Sequence, residues 1–196
     1  MQRLVRGVRI TASADALLMD PRARQEATFS ACYAEHHRRI YQACLRFGSG
    51  DHGFAEDVTH DAFIKLLQHL PRLQDHEDLG AWLYRVATNL ALSRLRRQRW
   101  FGAWLRRQAP TPLADTRPTP ESSAELREAA ERALRTLAAL PPRERIVICM
   151  KVLDDKSQIE IAETLSLSEG YISKLLTRAW RRIREAGWET EGDATV

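Results

Sequence analysis

The chain has 196 residues, and its 44% hydrophobic and 29% charged residues are typical of a globular protein rather than a disordered one. It contains no apolar run near the roughly 20 residues of a membrane-spanning helix, so we expect no membrane insertion. The formal net charge of +4 favours an anionic partner, since the arginines are concentrated in residues 94–99, 106–107 and 178–184.

The cysteines and histidines carry no pattern of a catalytic or metal site. Cys32, Cys44 and Cys149 form no paired motif, which indicates buried thiols in a reducing cytoplasm rather than a disulfide framework. The six histidines lack metal-ligand spacing, although His36-His37 beside arginines is an alternative phosphate or metal site. No Gly-rich phosphate loop and no nucleophile motif is present. We therefore expect no enzymatic activity, no metal and no other cofactor.

An N-terminal helical domain is predicted for residues 25–99, after a flexible basic tail of residues 1–24 in which Met19 is a second candidate start. Apolar residues recur at helical spacing in three segments of this domain. Asp51 and Asp78 precede the second and third segments, where each can cap a helix by accepting from a free backbone N–H. The predicted helices span residues 28–48, 51–70 and 78–99.

Helical periodicity is lost over residues 100–120, where four prolines predict a linker. It returns near Ser122 and continues through a second predicted domain, residues 121–188, with residues 189–196 as a C-terminal tail. No segment alternates as a strand does. The predicted fold class is all-α, with two small helical domains joined by a flexible linker.

A helix-turn-helix is predicted near the C-terminus. Ser157 and Glu160 have the spacing of a capping box, and Ser168 is a good N-cap for the second helix. Ser166 occupies the turn position where the backbone goes left-handed, which serine tolerates less well than glycine. The residues predicted to be buried are Ile159, Ala162 and Leu165 in the first helix and Ile172, Leu175, Ala179 and Ile183 in the second. The other face of the second helix is polar and basic, as in a helix that lies in a DNA major groove, although a solvated two-helix corner is the alternative.

Four stretches in this order resemble RNA polymerase sigma factors of the sigma-70 family, in the extracytoplasmic-function (ECF, group IV) subfamily that keeps only regions 2 and 4. They are AEDVTHDAFIKLLQHL at residues 55–70, AWLYRVATNLALSRLRRQR at 81–99, LAALPPRERIVICMKV at 137–152, and the helix-turn-helix. The resemblance implies a protein that binds core RNA polymerase, recognises the −35 and −10 promoter elements, melts the promoter and directs transcription initiation.

The resemblance further implies contacts with the polymerase. The helix at residues 55–70 would dock on the β′ clamp helices, and the second domain would meet the β flap. An acidic edge on this helix suits a basic partner surface, and the alternative is a solvated amphipathic helix. The residues implied to bind polymerase are Glu56, Asp57, His60, Asp61 and Phe63.

The third helix and the loop before it would open the promoter and hold the −10 strand. Unstacked bases require aromatic or planar side chains, and the phosphate backbone requires cations. The residues implied for this role are Arg72, Gln74, His76, Trp82, Arg85, Asn89, Arg96 and Arg97, with Tyr84 as a further candidate. Trp82 has an alternative role in the core, because large aromatic side chains are usually buried.

The second helix of the helix-turn-helix would enter the major groove of the −35 element. The implied residues are Ser168, Glu169, Tyr171, Ser173, Lys174, Thr177, Arg178, Arg181 and Arg182. Those near the N-terminus of the helix would read bases, and the three arginines would bind phosphates. The resemblance also implies an anti-sigma factor that holds the chain inactive.

A stand-alone regulator is the remaining alternative, since it would bind duplex DNA by itself, usually as a dimer on a palindrome. A sigma factor would instead act as a monomer with polymerase. The helix that carries Trp82, Asn89 and the arginine cluster favours the sigma factor, because a sensor domain has no need for such a helix.

Overall fold

The computed structural model describes residues 20–73, 78–105 and 124–188. These residues form seven α-helices and a short 3₁₀ turn, without a strand among them, which confirms the all-α prediction. Within the described ranges, none of the helices is long and apolar enough to cross a bilayer. The helices are α1 (Pro21–Phe47), α2 (His52–His69), α3 (Leu79–Leu105), α4 (Ala124–Ala139), α5 (Pro142–Val152), α6 (Gln158–Leu165) and α7 (Glu169–Glu185), and the 3₁₀ turn is Leu70–Arg72.

Two helix ends differ from the predicted bounds. α1 begins at Pro21 rather than Thr28, because proline is favoured in the first helical turn. α3 continues to Leu105, into the predicted linker, since the prolines that break helical structure come later in the sequence. Residues 1–19 of the predicted tail and residues 106–123 of the predicted linker lie outside the described residues.

The first three helices pack around one core. Ile40 and Phe47 of α1, Val58 and Leu66 of α2, and Leu83 of α3 are almost completely buried in it. Together with the other buried residues of each helix, they recur at three- and four-residue spacing, so each helix turns one apolar stripe inward. The outward faces of α2 and α3 are thereby directed to solvent.

Local hydrogen bonds begin α2 and α3 where the sequence predicts. Asp51 Oδ1 accepts from the backbone N–H of Phe54 at 2.9 Å, and Asp78 Oδ1 accepts from that of Ala81 at 2.9 Å. The turn between α1 and α2 is tight, because a Cβ on Gly48 would lie 2.6 Å from the ring of Phe54. The caps and this close contact set the angle at which α2 leaves α1.

The helix-turn-helix consists of α6 and α7. The capping box is present: Ser157 Oγ accepts from the backbone N–H of Glu160 at 3.2 Å, and the Glu160 carboxylate accepts from the backbone N–H of Ser157 at 2.8 Å. Ser166 ends α6 in the left-handed conformation at φ 53° and ψ 47°, at the position that the sequence indicated. Ser168 caps α7 by accepting from the backbone N–H of Tyr171 at 3.3 Å.

The prediction that Ile159 is buried is wrong. Its side chain is 55% exposed, whereas Ile161, Ala162 and Leu165 are buried. At about 100° per residue, Ile159 lies about 110° from the centre of the stripe that those three residues form. Ile183 of α7, also predicted to be buried, is only partly so.

The two groups of helices are in contact with each other. α5 lies against α1 and α3, and α6 lies against α3. Buried side chains from both groups form one continuous hydrophobic cluster. The sequence predicted two domains and a linker but did not predict this contact, because nothing in a local pattern encodes how two separate domains meet.

Candidate nucleic-acid and polymerase interfaces

The N-terminal half of α7 presents a polar face to solvent. Ser168, Glu169, Lys174, Thr177 and Arg178 are exposed, as the helical period predicted. The opposite face is buried against α5 and α6. A helix anchored in this way can enter a DNA major groove, which is about 12 Å wide, with its N-terminal turns foremost.

Two residues predicted to read bases are less accessible to solvent than the others. Tyr171 is half-buried; its hydroxyl accepts from Arg143 Nη1 at 3.3 Å, and the Arg143 guanidinium lies 5.9 Å from the centre of its ring. Ser173 is half-buried, and its backbone carbonyl accepts from the Thr177 hydroxyl at 3.0 Å. Lys174 and Arg178 are therefore the more accessible polar groups of this face.

The three arginines predicted to bind phosphates have different surroundings. Arg178 is exposed and has no acidic partner among the described residues. Arg181 Nε lies 3.9 Å from Glu185 one turn along α7. Arg182 Nε lies 3.0 Å from Oε2 of Glu144 in α5, whose side chain is only 7% exposed. Arg182 is thus part of the α5–α7 contact as well as of the basic face.

α3 carries a second exposed polar face. Arg85, Asn89 and Arg96 lie within about 40° of one another around the helix axis, and all three are exposed. Arg97 is exposed on a neighbouring face. Trp100 follows on the same side as the first three and is 72% exposed. We did not predict Trp100 as a site residue, although an aromatic side chain directly after a basic run is a usable signal for stacking on bases.

The other residues predicted for the −10 element are dispersed. Arg72 is exposed at the end of the 3₁₀ turn, while Gln74 and His76 lie outside the described residues. Trp82 is half-buried against the core, with its ring 5.7 Å from that of His69. Arg72 and Trp82 thus flank the segment that joins α2 to α3.

Tyr84 does not belong to this exposed face. Its side chain is 7% exposed, and its hydroxyl donates to Asp154 Oδ2 at 2.5 Å. Burial, followed by the negative charge of Asp154, raises the pKa of Tyr84, so the phenol stays protonated as a donor. Tyr84 lies about 120° around α3 from the centre of the face formed by Arg85, Asn89 and Arg96, so the suggestion that it stacks on DNA beside them is corrected.

The outward face of α2 is acidic, but a cation of α3 partly neutralises it. Glu56 and His60 are exposed. Arg94 Nη1 lies 3.0 Å from Asp57 Oδ2, and Arg94 Nη2 lies 3.9 Å from Asp61 Oδ2. Both carboxylates stay largely exposed despite these contacts, so they can still meet a basic partner.

Phe63 was predicted to bind polymerase, and the structure corrects this. Its side chain is 4% exposed and packs against Phe29 and Tyr33 of α1, with ring centres 6.2 and 4.8 Å away. The apolar residues that α2 does expose are Ile64 and Leu67, at 40% and 46%. Ile64 lies opposite the buried stripe of α2, whereas Phe63 lies at its edge, about 40° from Leu67, where the rings of α1 cover it.

The thiols and the charged groups form no reactive centre among the described residues. Burial raises the pKa of Cys32 and Cys44 to about 11 and that of Cys149 to about 12. All three cysteines are free and buried, as predicted. Within the described ranges, no group of three His, Cys, Asp or Glu side chains is placed to hold a metal ion.

The sequence matches two family profiles, Sigma-70 region 2 over residues 32–101 and Sigma-70, region 4 over residues 136–185. Together these ranges cover more than half of the chain. Among curated proteins, the ECF RNA polymerase sigma factor SigW of Bacillus subtilis is 29% identical over 155 residues, which cover 75% of this chain and 82% of SigW. The ECF RNA polymerase sigma factor SigM of Mycobacterium tuberculosis is 26% identical over 156 residues, covering 79% and 74% of the two chains.

The fold is similar to those of solved sigma factors. The sigma factor RpoE, in a co-crystal structure with the anti-sigma factor NepR from Bartonella quintana, aligns with a TM-score of 0.62 at 19% identity and covers 81% of this chain and 96% of its own. CnrH, in complex with the cytosolic domain of CnrY, aligns with a TM-score of 0.55 at 22% identity and covers 82% and 87%.

Proposed function

Because the chain belongs to the sigma-70 family of RNA polymerase sigma factors, in its ECF subfamily, we propose that it directs core RNA polymerase to promoters whose −35 and −10 elements it reads itself. The observation that carries this proposal is the pair of exposed basic faces, one on α3 and one on α7, in two different domains. The first domain comprises α1 to α3 and the second α4 to α7. The protein itself catalyses no reaction and acts in the cytoplasm with the polymerase.

In this proposal α7 reads the −35 element. Lys174 and Thr177 lie near the end of the helix that enters the groove and are exposed, so their polar atoms can reach base edges. Arg178 and Arg181 lie further along and bind phosphates. The cap at Ser168 also leaves the first backbone N–H groups of α7 directed at the DNA backbone, a geometry that favours phosphate.

The −10 element is held by α3 after the strands separate. Arg85 and Arg96 supply cations along one face, and Asn89 between them can hydrogen-bond to an exposed base edge. Trp100 supplies a ring on which a base can stack, an interaction worth about 1–3 kcal/mol per base. The single-stranded DNA would thus follow the length of the helix from Arg85 to Trp100.

The outward face of α2 docks on the β′ clamp helices of the polymerase. Its C-terminal half exposes the apolar side chains of Ile64 and Leu67, and the part before them carries Glu56, Asp57 and Asp61. Protein interfaces combine apolar and charged groups of this kind. The second domain meets the β flap, which holds it near the −35 element.

An anti-sigma factor is the third proposed partner. RpoE was solved in complex with the anti-sigma factor NepR, and CnrH in complex with the cytosolic domain of CnrY. The fold of this chain is similar to theirs over about four fifths of its length. These likenesses support a regulator that holds the two domains of the chain together.

Transcription in vitro tests the proposal. Core polymerase with this protein should give specific transcripts from promoters of its own genome, and neither component alone should do so. Lys174→Ala should change which promoters are used, whereas Arg178→Ala should weaken all of them and lower the slope of log affinity against log salt by about one. Arg135→Ala on α4 removes an exposed arginine from outside these faces and is the control. Tight, salt-sensitive duplex binding by the protein alone, without transcripts, would instead identify a stand-alone regulator.

A further inference from the structure

The loop between α5 and α6 attaches the second domain to the first through one carboxylate. Asp154 Oδ1 accepts from Arg46 Nη2 of α1, and Asp154 Oδ2 accepts from the Tyr84 hydroxyl of α3 at 2.5 Å. The Asp154 side chain is only 9% exposed and that of Arg46 is 29% exposed. Both oxygens of a nearly buried carboxylate are therefore used by the other domain.

Weaker contacts surround this carboxylate. The ammonium of Lys156 lies 5.9 Å from the centre of the Tyr84 ring. Arg145 Nη1 donates to the carbonyl of Phe47 at 3.4 Å, and Cys149 Sγ lies 3.8 Å from the carbonyl of Arg46. Each joins a side chain of the second domain to a group of the first. Charged hydrogen bonds are about twice as strong as neutral ones, so the contacts of Asp154 are the main polar attraction in this set.

Other charges between the domains repel each other. Four arginines line a groove of about 620 Å³, Arg96 and Arg99 from α3 and Arg143 and Arg178 from the second domain. Among the described residues, Glu144 is the one carboxylate beside them. Burial lowers the pKa of Arg145; Cys149 raises it, and the positive charge of Arg99 across the boundary lowers it. Closure therefore brings like charges together, and the contacts of Asp154 and the shared hydrophobic cluster must together exceed their repulsion.

The closed arrangement is too small to read a whole promoter. A compact chain of this length has a radius of gyration of about 16 Å and thus a diameter of about 40 Å. Elements centred at −35 and −10 are about 25 base pairs apart, which is about 85 Å of duplex at about 3.4 Å per base pair. The faces on α3 and α7 cannot reach both elements while the domains touch. The sequence places 18 residues, 106–123, between α3 and α4, and a chain of 18 residues spans at most about 60 Å.

We propose that Asp154 is an interdomain latch: by binding Arg46 and Tyr84 it holds the free protein closed, and its release precedes binding to the promoter. This inference rests on the proposed function for its consequence, but the latch itself is a property of the chain alone. The arginines of the groove oppose closure, whereas the contacts of Asp154 and the shared hydrophobic cluster favour it. A partner that covers Asp154, Arg46 or Tyr84 changes the population of the open, promoter-competent state.

The distance between the domains in the full-length chain tests the latch. Labels on Lys65→Cys of α2 and Glu163→Cys of α6 report this distance, and the native cysteines are buried. The labelled chain with native Asp154 should show one short distance between the two labels in the absence of polymerase and DNA. Asp154→Asn keeps the shape but removes the charge, and it should raise the open-to-closed ratio about tenfold. Asp155→Asn changes the exposed neighbouring carboxylate and should leave the distance unchanged.

Exchanging the two charges distinguishes loss of a specific contact from a general loss of folding. Arg46→Gln should open the chain as Asp154→Asn does, and circular dichroism checks that both variants stay helical. Arg46→Asp combined with Asp154→Arg should restore the short distance. Equal distance distributions for Asp154→Asn and Asp155→Asn would overturn the proposal, as would a reversed pair that stays open.

Transcription with core polymerase then distinguishes the latch from the proposed function. If Asp154→Asn opens the chain and increases the amount of promoter complex at limiting protein, both the latch and the sigma-factor function are supported. If it opens the chain but neither protein supports transcription, the latch stands and the sigma-factor function is refuted. If the wild type transcribes and the distance never changes, the latch alone is refuted.

Discussion

Replacing Arg182 with alanine should lower the stability of the second domain as well as its affinity for DNA. The reason is Glu144, whose side chain is 7% exposed in α5 and lies 3.0 Å from Arg182 Nε. Among the described residues, Arg182 is the only cation in contact with this carboxylate. The substitution therefore leaves a nearly buried carboxylate without the cation that contacts it, which is unfavourable even though other arginines line the same groove.

The expected loss is about 2 kcal/mol of unfolding free energy. Breaking a fully buried ion pair by removing one partner costs about 3–5 kcal/mol. Arg182 is 48% exposed, so solvent already screens part of the interaction, and the lower figure follows. In a chain of this size, about 2 kcal/mol lowers the melting temperature by about 4–8 °C.

A double substitution separates the two roles of Arg182. Glu144→Gln with Arg182→Ala removes both charges, so it should recover most of the lost stability while the affinity for the −35 duplex stays low. Thermal unfolding by circular dichroism and DNA titrations at several salt concentrations measure the two effects. Arg178→Ala, which removes an arginine without an acidic partner among the described residues, should weaken DNA binding at unchanged stability. The reasoning fails if Arg182→Ala melts like the wild type, or if the double variant is as unstable as Arg182→Ala alone.

Three further substitutions have defined outcomes. Ser166→Gly should stabilise the protein by about 0.5 kcal/mol, because relief of the left-handed strain exceeds the extra chain entropy of glycine; a lower melting temperature would contradict this. The hydrogen bond from Lys156, followed by that from Ser157, lowers the pKa of Glu160 to about 2. The ionised carboxylate therefore stabilises the fold fully above its ordinary pKa of 4.5, and this contribution is lost as the pH falls towards 2. Glu160→Gln should melt with a weaker pH dependence between pH 5 and 3, and parallel curves for the two proteins would count against it. Ile64→Asp should reduce affinity for core polymerase about tenfold at unchanged stability, whereas the control Ile159→Asp, at another exposed isoleucine, should not. Equal affinities of the two variants would show that α2 is not part of the interface.

Most helix starts and the overall class could be read from the sequence because they depend on neighbouring residues. A cap such as Asp51 or Ser168 binds a backbone N–H three residues away, so the spacing alone identifies it. The same holds for the left-handed turn at Ser166. The sequence could not separate Phe63 from the exposed face of α2, because this residue lies at the edge of the buried stripe and only packing against aromatic rings of α1 buries its side chain.

The sequence alone determined the all-α class, the order of the two domains and the polar faces of α3 and α7, since helical period and capping are local properties. Only the tertiary structure decided what each polar residue does there. It buried Tyr84 against Asp154, paired Arg182 with Glu144 and brought Arg94 to Asp57. Such contacts join residues that are far apart in the chain, and their energies depend on burial and distance, which exist only after the helices have packed.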